Sequence, residues 1–182
     1  MTIHCAVPLL GFCAFSGTGK TTLLTRLIPL LRAEGLRLGV IKHAHHSFDI
    51  DQPGKDSQRL RESGAEQMLV ASRHRMAFIR ECRGPDREPR LAELLHCVDT
   101  SALDLVLVEG FKRERIAKIE LHRPSLGKPL IHAADRHVIA IASDAPLTPV
   151  RDLPVLDLNR PELIRDFVLG WMAAARPVAR TG

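Results

Sequence analysis

The stretch Ala14-Phe15-Ser16-Gly17-Thr18-Gly19-Lys20-Thr21 decides the fold class of this chain. It matches the P-loop pattern, in which four spacer residues follow a small residue and precede Gly-Lys and then Ser or Thr. Ala14 stands where the pattern usually has Gly, and its small side chain still leaves room at the end of a strand. Gly17 and Gly19 let the backbone turn with its amides pointing inward, which creates an anion-binding nest at the start of a helix. The stretch therefore predicts a phosphate-binding loop.

The side chains of this loop fit a nucleotide and its metal ion. The ammonium of Lys20 can lie between the terminal phosphates, and the hydroxyl of Thr21 can ligate Mg²⁺. Ser16 and Thr18 can add hydrogen-bond donors. The alternative is a glycine-rich turn that binds nothing, so the flanking sequence has to decide.

The segments on both sides of the loop have the required character. Residues 7–15 form an apolar run typical of a buried parallel strand. From Thr21 onward, leucine and isoleucine recur at helical spacing as far as Leu31, and Gly35 is placed to cap the helix. Residues 36–41 then predict a second strand. A strand, a loop, a helix and a strand in this order favour the phosphate-binding interpretation.

The rest of the chain alternates apolar strands with helical patterns. A helix is predicted at residues 56–63, capped by Asp56 or Ser57, and a hairpin at about 66–80. Further strands are predicted at 103–108, 117–121, 138–142 and 155–158, and further helices at 91–98 and 161–175. We therefore predict an α/β fold of the P-loop NTPase type, with a mainly parallel sheet flanked by helices. Residues 1–182 are interpreted as a single nucleotide-binding domain with an inserted β-hairpin.

Glu109 follows the apolar strand at 103–108 directly. A P-loop needs a second carboxylate that reaches the Mg²⁺ ion or its waters from a neighbouring strand. Asp104 comes too early in the strand for this role. We predict that Glu109 is this carboxylate, and the alternative is an ordinary acidic residue at the exit of a strand.

Asp144 follows the strand at 138–142, near the edge of the sheet where open α/β sheets bind ligands. The usual guanine signature, Asn or Thr followed by Lys-x-Asp, is absent. The carboxylate of Asp144 could still accept hydrogen bonds from N1 and N2 of guanine. An Asp that caps the turn before Pro146 explains the spacing equally well.

The composition argues against nucleic-acid binding, disulfide bonds and a membrane span. The chain has a net charge of +5, 4% aromatic residues and no Tyr, so a base-stacking surface for single-stranded nucleic acid is not expected. Its four cysteines are scattered, which indicates reduced thiols in a cytoplasmic protein. The apolar run that ends at Phe15 is too short to cross a membrane.

A histidine-rich segment, Lys42-His43-Ala44-His45-His46, precedes Asp49 and Asp51. These residue types can bind zinc, but the segment shows no helical pattern that would bring them to one face. A basic, polar loop near the phosphates is the preferred interpretation.

Five motifs in this order resemble the MobB family, the molybdopterin-guanine dinucleotide biosynthesis proteins B. They are Ser16-Gly17-Thr18-Gly19-Lys20-Thr21-Thr22-Leu23-Leu24, Ile41-Lys42-His43-Ala44-His45-His46, Asp51-Gln52-Pro53-Gly54-Lys55-Asp56-Ser57, Val108-Glu109-Gly110-Phe111-Lys112 and Ile141-Ala142-Ser143-Asp144. The similarity extends over nearly the whole chain.

The resemblance implies a GTP-binding adapter that uses Mg²⁺, hydrolyses GTP slowly if at all, and forms homodimers. It also implies a partner, the molybdenum cofactor guanylyltransferase, which joins GMP to molybdopterin. Residues that would hold phosphates and metal are Gly17, Gly19, Lys20, Thr21 and Thr22. Glu109 would be the second acidic group, and the segment 42–51 would face the nucleotide. Any hydrolysis would depend on Lys20 and Glu109.

A small-molecule kinase is the alternative, because its P-loop would look the same. A kinase also needs an arginine-bearing lid over its acceptor. The segment 83–90 is the one candidate, and its two prolines disfavour a helical lid.

Overall fold

The computed structural model describes residues 3, 5–44, 48–51, 53–82 and 88–175 of the chain. They form two compact units, the first from the described parts of Met1–His43 and Pro89–Gly182 and the second from Ala44–Glu88. The strands are β1 (Leu9–Cys13), β2 (Leu38–Lys42), β3 (Gln67–Ala71), β4 (Met76–Arg80), β5 (Leu105–Glu109), β6 (Lys118–His122), β7 (Val138–Ser143) and β8 (Val155–Asp157). The helices are α1 (Lys20–Ala33), α2 (Asp56–Glu62), α3 (Leu91–Leu95) and α4 (Pro161–Ala175). The single-domain interpretation of residues 1–182 stays a prediction.

The first unit is built on a six-stranded sheet with the order β2-β5-β1-β6-β7-β8. All five pairings between neighbouring strands are parallel. The predicted fold class, a mainly parallel sheet flanked by helices, is therefore confirmed. Because β5 and β6 both lie beside β1, their carboxyl ends lie next to the phosphate loop, which follows β1.

The apolar side chains of α1 and α4 pack on one face of this sheet. The buried residues on this side include Leu10 and Phe12 of β1, Leu27 and Leu31 of α1, and Ile164 of α4. Each of them is at most 1% exposed. Burial of a side chain of this size contributes about 1.5–3 kcal/mol relative to an exposed position. Packing of α1 on the sheet therefore fixes the position of its first residues, Lys20 and Thr21.

The opposite face of the sheet carries a second apolar cluster. Val106 and Val108 of β5 point to this side, because successive side chains of a strand alternate between faces. They are buried together with Leu91 and Leu95 of α3 and with Phe111. The strand that ends at Glu109 is therefore buried on both faces, as its continuous apolar sequence predicts.

The second unit contains α2 and an antiparallel hairpin in which Ala71 of β3 pairs with Met76 of β4. Arg61 of α2 binds both Asp49 and Glu81, with N–O distances of 2.9 and 2.8 Å. These two hydrogen-bonded carboxylates raise the pKa of Arg61. The unit is therefore held together by an arginine and two acidic groups as well as by backbone pairing.

One detail of α2 differs from the sequence prediction. The residue at the N-cap is Lys55, with extended backbone and no capping side chain, so Asp56 and Ser57 lie inside the helix. The Ser57 hydroxyl instead donates to Asp51 Oδ1 at 2.8 Å. The prediction that Asp56 or Ser57 caps this helix was therefore wrong, because the helix already begins at Asp56 and the Ser57 hydroxyl binds the preceding loop.

No helix within the described part of the chain combines the length and the apolar character that crossing a membrane requires.

Candidate functional site

The phosphate loop connects β1 to α1 through two glycines in left-handed backbone conformations. Gly17 has φ 79° and Gly19 has φ 99°, values that side-chain-bearing residues rarely adopt. The Thr18 hydroxyl donates to Phe15 O at 2.9 Å and closes the turn. Leu23 N donates to Gly19 O at 2.9 Å, so the helical bonding starts directly after the loop. The loop thus leads the chain into a helix N-terminus, as an anion nest requires.

Lys20 is the first residue of α1, and its side chain lies along the loop. Its ammonium Nζ is 3.5 Å from the carbonyl oxygen of Ala14. The amine therefore lies beside the end of β1. Ser16, Thr21 and Thr22 are exposed, whereas Thr18 is buried.

Thr21 and Glu109 meet, although 88 residues separate them in the chain. The Thr21 hydroxyl donates to Glu109 Oε1 at 3.1 Å. The other oxygen, Oε2, is 3.5 Å from Nζ of Lys42, and the Glu109 side chain is 10% exposed. A hydroxyl and a carboxylate that are in hydrogen-bond contact offer the oxygen ligands that Mg²⁺ prefers. The donors at this position therefore fit the metal ion that a P-loop uses.

The backbone around Glu109 is fixed by a close contact with the end of β2. The Glu109 carbonyl accepts a hydrogen bond from His43 N at 2.9 Å. Gly110 follows with φ 101°, and a Cβ at this position would lie 2.9 Å from Cβ of His43. The ring of His43 stacks on Phe111 with 5.0 Å between centroids. A glycine is thus needed here for both backbone conformation and space.

We expect Gly110→Ala to lower the free energy of unfolding by at least about 2 kcal/mol, because strain from the positive φ adds to overlap with His43. Gly35→Ala is the matched control, since Gly35 has φ 83° but a Cβ at its position would meet no described atom within 4 Å. The control should lose about 1 kcal/mol, the cost of the backbone conformation alone. Urea unfolding of both variants measures the difference, and equal losses would contradict the packing argument.

Arg123, at the end of β6, connects the phosphate loop to Asp144. Its Nε donates to Thr18 O at 2.9 Å, and its guanidinium also pairs with the Asp144 carboxylate. Sequence reasoning did not find Arg123, because its importance follows from the adjacency of β6 to β1. The available signal was its position directly after a strand, the same signal that identified Glu109.

The histidine segment is only partly described. His45 and His46 lie outside the described residues, as does Gln52 of the third motif. Among the described residues, no group of three or more His, Cys, Asp or Glu side chains is arranged to hold a metal. The orientation of the segment 42–51 toward a nucleotide stays a prediction.

The four cysteines are free thiols. Cys13, at the end of β1, is buried, and this burial together with the neighbouring carboxylate of Glu120 raises its pKa to about 12. A thiol with such a pKa remains protonated near neutral pH and is a poor nucleophile. Cys13 is therefore a packing residue of the sheet.

The parallel sheet, the glycine-containing loop before α1, Lys20, and the contact between Thr21 and Glu109 together define the class of protein. The chain is a P-loop protein of the NTPase-like α/β fold.

Comparison with known proteins identifies the family within this class. A family model described as molybdopterin guanine dinucleotide synthesis protein B matches residues 9–144. The chain is 55% identical over 168 residues to the molybdopterin-guanine dinucleotide biosynthesis adapter protein of Escherichia coli (strain K12), covering 91% of this chain and 94% of that protein. The adapter protein of the same description from Haemophilus influenzae is 46% identical over 166 residues, covering 91% and 90%.

A solved structure agrees with these relatives. The crystal structure of a molybdopterin-guanine biosynthesis protein B superposes with a TM-score of 0.67 at 29% identity, covering 91% of this chain and 99% of that one. The chain belongs to the molybdopterin guanine dinucleotide synthesis protein B family, MobB. The resemblance inferred from the five sequence motifs is thereby confirmed.

Proposed function

We propose that this chain is a GTP-binding adapter that assists the attachment of GMP to molybdopterin, acting beside a molybdenum cofactor guanylyltransferase. The observation that carries the proposal is the hydrogen bond between Thr21 and Glu109, which joins the phosphate loop to the second acidic motif. The adapter role is supported by the description of the Escherichia coli relative, which aligns over 94% of its length.

In this proposal each part of the site has one task. The backbone amides from Ser16 to Thr22 and the Lys20 ammonium hold the phosphates, with the positive end of α1 adding favourable charge. Thr21 and Glu109 hold Mg²⁺, which supplies charge neutralisation between the phosphates when bound. Lys42, 3.5 Å from Glu109, keeps that carboxylate oriented.

We propose that hydrolysis is slow. A fast GTPase orients the attacking water with a glutamine and stabilises the developing charge with an arginine. The sequence shows no glutamine placed like a water-positioning residue. Arg123, an arginine beside the loop, already binds Thr18 O and Asp144. This arrangement supports nucleotide binding more than rapid turnover.

Asp144 is proposed as the group that distinguishes guanine from adenine. Its carboxylate can accept both N–H donors of guanine, whereas the amide of Asp144→Asn presents one acceptor and one donor. We expect Asp144→Asn to lower the GTP affinity by about tenfold and to leave the ATP affinity unchanged or higher.

The ratio of GTP to ATP affinities isolates this effect. Arg123 loses an ion-pair partner in the variant, but that loss affects both nucleotides alike. Asp152→Asn, which alters an exposed carboxylate of the same unit, is the control. Isothermal titration with both nucleotides measures the ratio, and a ratio equal to that of the wild type would rule out Asp144 as the base contact.

The adapter and the kinase differ in the fate of the γ-phosphate. Membership of the MobB family supports the adapter. Residues 83–87 of the lid candidate lie outside the described residues. Incubation with γ-labelled GTP should yield no labelled acceptor, and transfer of the label to a recovered small molecule would favour the kinase.

We also propose a cytoplasmic homodimer. Leu69, Val70, Met76 and Phe78 of the hairpin are between 41% and 69% exposed, and so many large apolar side chains on one hairpin favour a contact with another surface. Pairing with a second copy would cover these side chains. Sedimentation equilibrium measures the molecular mass in solution, and a mass equal to that of one protomer would contradict this proposal.

A further inference from the structure

A pocket of about 750 Å³ opens beside the phosphate loop in the first unit. Its apolar lining includes Phe15, Leu130 and Ile131. Phe15 directly precedes Ser16, so the loop contributes its backbone to the phosphate site and one aromatic ring to this pocket. The volume lies in the range of small-molecule sites.

The pocket has an excess of positive charge. Lys112, Arg113, Arg115 and Arg136 line it, and among the described residues none of them pairs with a carboxylate. Lys112 Nζ lies over the Phe15 ring, 5.4 Å from its centroid. The one acidic residue of the lining, Asp135, is already engaged by other groups. Cations that have no carboxylate partner in the described part of the chain, next to apolar side chains, suit an organic anion.

One buried ammonium connects two segments that line this pocket, the loop at 112–115 and the residues around Asp135. Lys118 of β6 is 1% exposed. Its Nζ lies 2.6 Å from Asp135 Oδ2, donates to Lys112 O at 3.0 Å, and also donates to the carbonyl of Glu114. Burial opposes ionisation of Asp135, but hydrogen bonds from Lys118 and from His137 N outweigh it and hold the pKa of this carboxyl below its usual value.

A buried carboxylate binds the part of the lining around Ile131. Glu120 of β6 is 1% exposed and accepts hydrogen bonds from Ile131 N at 2.6 Å and His132 N at 2.9 Å. Its Oε2 also lies 2.8 Å from Nδ1 of His132.

These buried charges act on the shape of the pocket. Burying an ion costs several kcal/mol, and well-packed apolar residues often stabilise a fold as well or better. The ionic side chains of β6 instead fix the two loops that line the pocket, at 112–115 and 129–137. A pocket whose walls are held in this way before a ligand arrives loses little conformational entropy when it binds one.

We propose that this pocket is a second ligand site, which binds a phosphorylated organic molecule with an aromatic or apolar body while the phosphate loop holds its nucleotide. Arg113, Arg115 and Arg136 bind the phosphate, and Phe15 with the neighbouring aliphatic side chains contacts the body of the ligand. The proposal does not depend on which nucleotide the phosphate loop prefers.

Riboflavin 5′-phosphate is a suitable probe, because it is a fluorescent, flat phosphomonoester. Fluorescence polarisation with the full chain should show saturable binding, with a dissociation constant below about 1 mM, in the presence of saturating GTP and Mg²⁺. The Lys20→Ala variant should bind the probe with the same affinity. Riboflavin, which lacks the phosphate, should bind at least about tenfold more weakly. Persistence of binding in Lys20→Ala separates this site from the phosphate loop.

The double variant Arg115→Ala/Arg136→Ala should lower the affinity for riboflavin 5′-phosphate by at least about tenfold and leave GTP binding unchanged. Both side chains are exposed, so the fold should tolerate their loss. Arg32→Ala/Arg160→Ala removes the same charge from exposed positions outside the pocket and should have no effect.

The proposal would be overturned by the absence of saturable binding, by displacement of the probe by GTP, or by equal affinities in the two double variants. Displacement by an acidic oligoglutamate peptide but not by other phosphomonoesters would also overturn it and would assign the pocket to a protein segment. Failure of GTP binding alone would leave the prediction for riboflavin 5′-phosphate intact, so this proposal and the proposed function fail separately.

Discussion

Lys20→Ala should reduce the affinity for GTP in the presence of Mg²⁺ by about 10- to 100-fold. The ammonium is the one cationic side chain that the P-loop motif itself supplies to the phosphates, and a hydrogen bond to a charged group is worth about 1.5–3 kcal/mol. Its hydrogen bond to Ala14 O is long, at 3.5 Å, so the variant should lose little folding stability. Isothermal titration measures the affinity, and urea unfolding checks that the fold is intact.

Lys128→Ala is the matched control for this variant. Lys128 is an exposed lysine of the same unit, so its removal changes the net charge equally without touching the loop. We expect the control to bind GTP like the wild type. If Lys20→Ala bound as tightly as the control, the assignment of residues 14–21 as the phosphate site would be wrong.

Glu109→Gln should remove most of the benefit that Mg²⁺ brings to GTP binding. The amide can still accept the hydrogen bond from Thr21, but it is neutral and a much weaker ligand for a hard cation. We expect the ratio of GTP affinities with and without Mg²⁺ to fall by about tenfold. Without Mg²⁺ the variant should bind GTP as well as the wild type or better, because a negative charge beside the phosphates has been removed.

This pair of opposite effects separates a metal ligand from a structural residue. A purely structural role for Glu109 would weaken binding under both conditions. Glu162→Gln, at an exposed position near the start of α4, is the control. A Mg²⁺ response in Glu109→Gln equal to that of the wild type would contradict the role of this carboxylate.

The sequence predicts the elements around the phosphate loop well because their signals are local. The apolar run before Ala14 and the helical spacing after Thr21 correspond to β1 and α1, with boundaries shifted by one or two residues. Glu109 is the last residue of β5 rather than the first residue after it. Its contact with Thr21 could be anticipated, because the carboxyl ends of parallel strands meet at one edge of the sheet.

Other features depend on strand order, which the sequence does not reveal. Arg123 becomes a neighbour of the loop only because β6 lies beside β1. Lys118 and Glu120 look like ordinary polar residues of a half-exposed strand, yet both are buried and bind loops that come later or earlier in the chain. Such partners are determined by tertiary packing and leave no periodic pattern in the sequence.

Titration of the wild-type chain with GTP and ATP in the presence of Mg²⁺ would decide whether the chain is a GTP-binding protein. We predict saturable binding of one GTP per chain and an affinity for ATP at least about tenfold lower. The label of γ-labelled GTP should remain on the nucleotide or appear slowly as free phosphate. Equal affinities for the two nucleotides, or no saturable GTP binding, would contradict the proposal that this chain is a GTP-binding adapter.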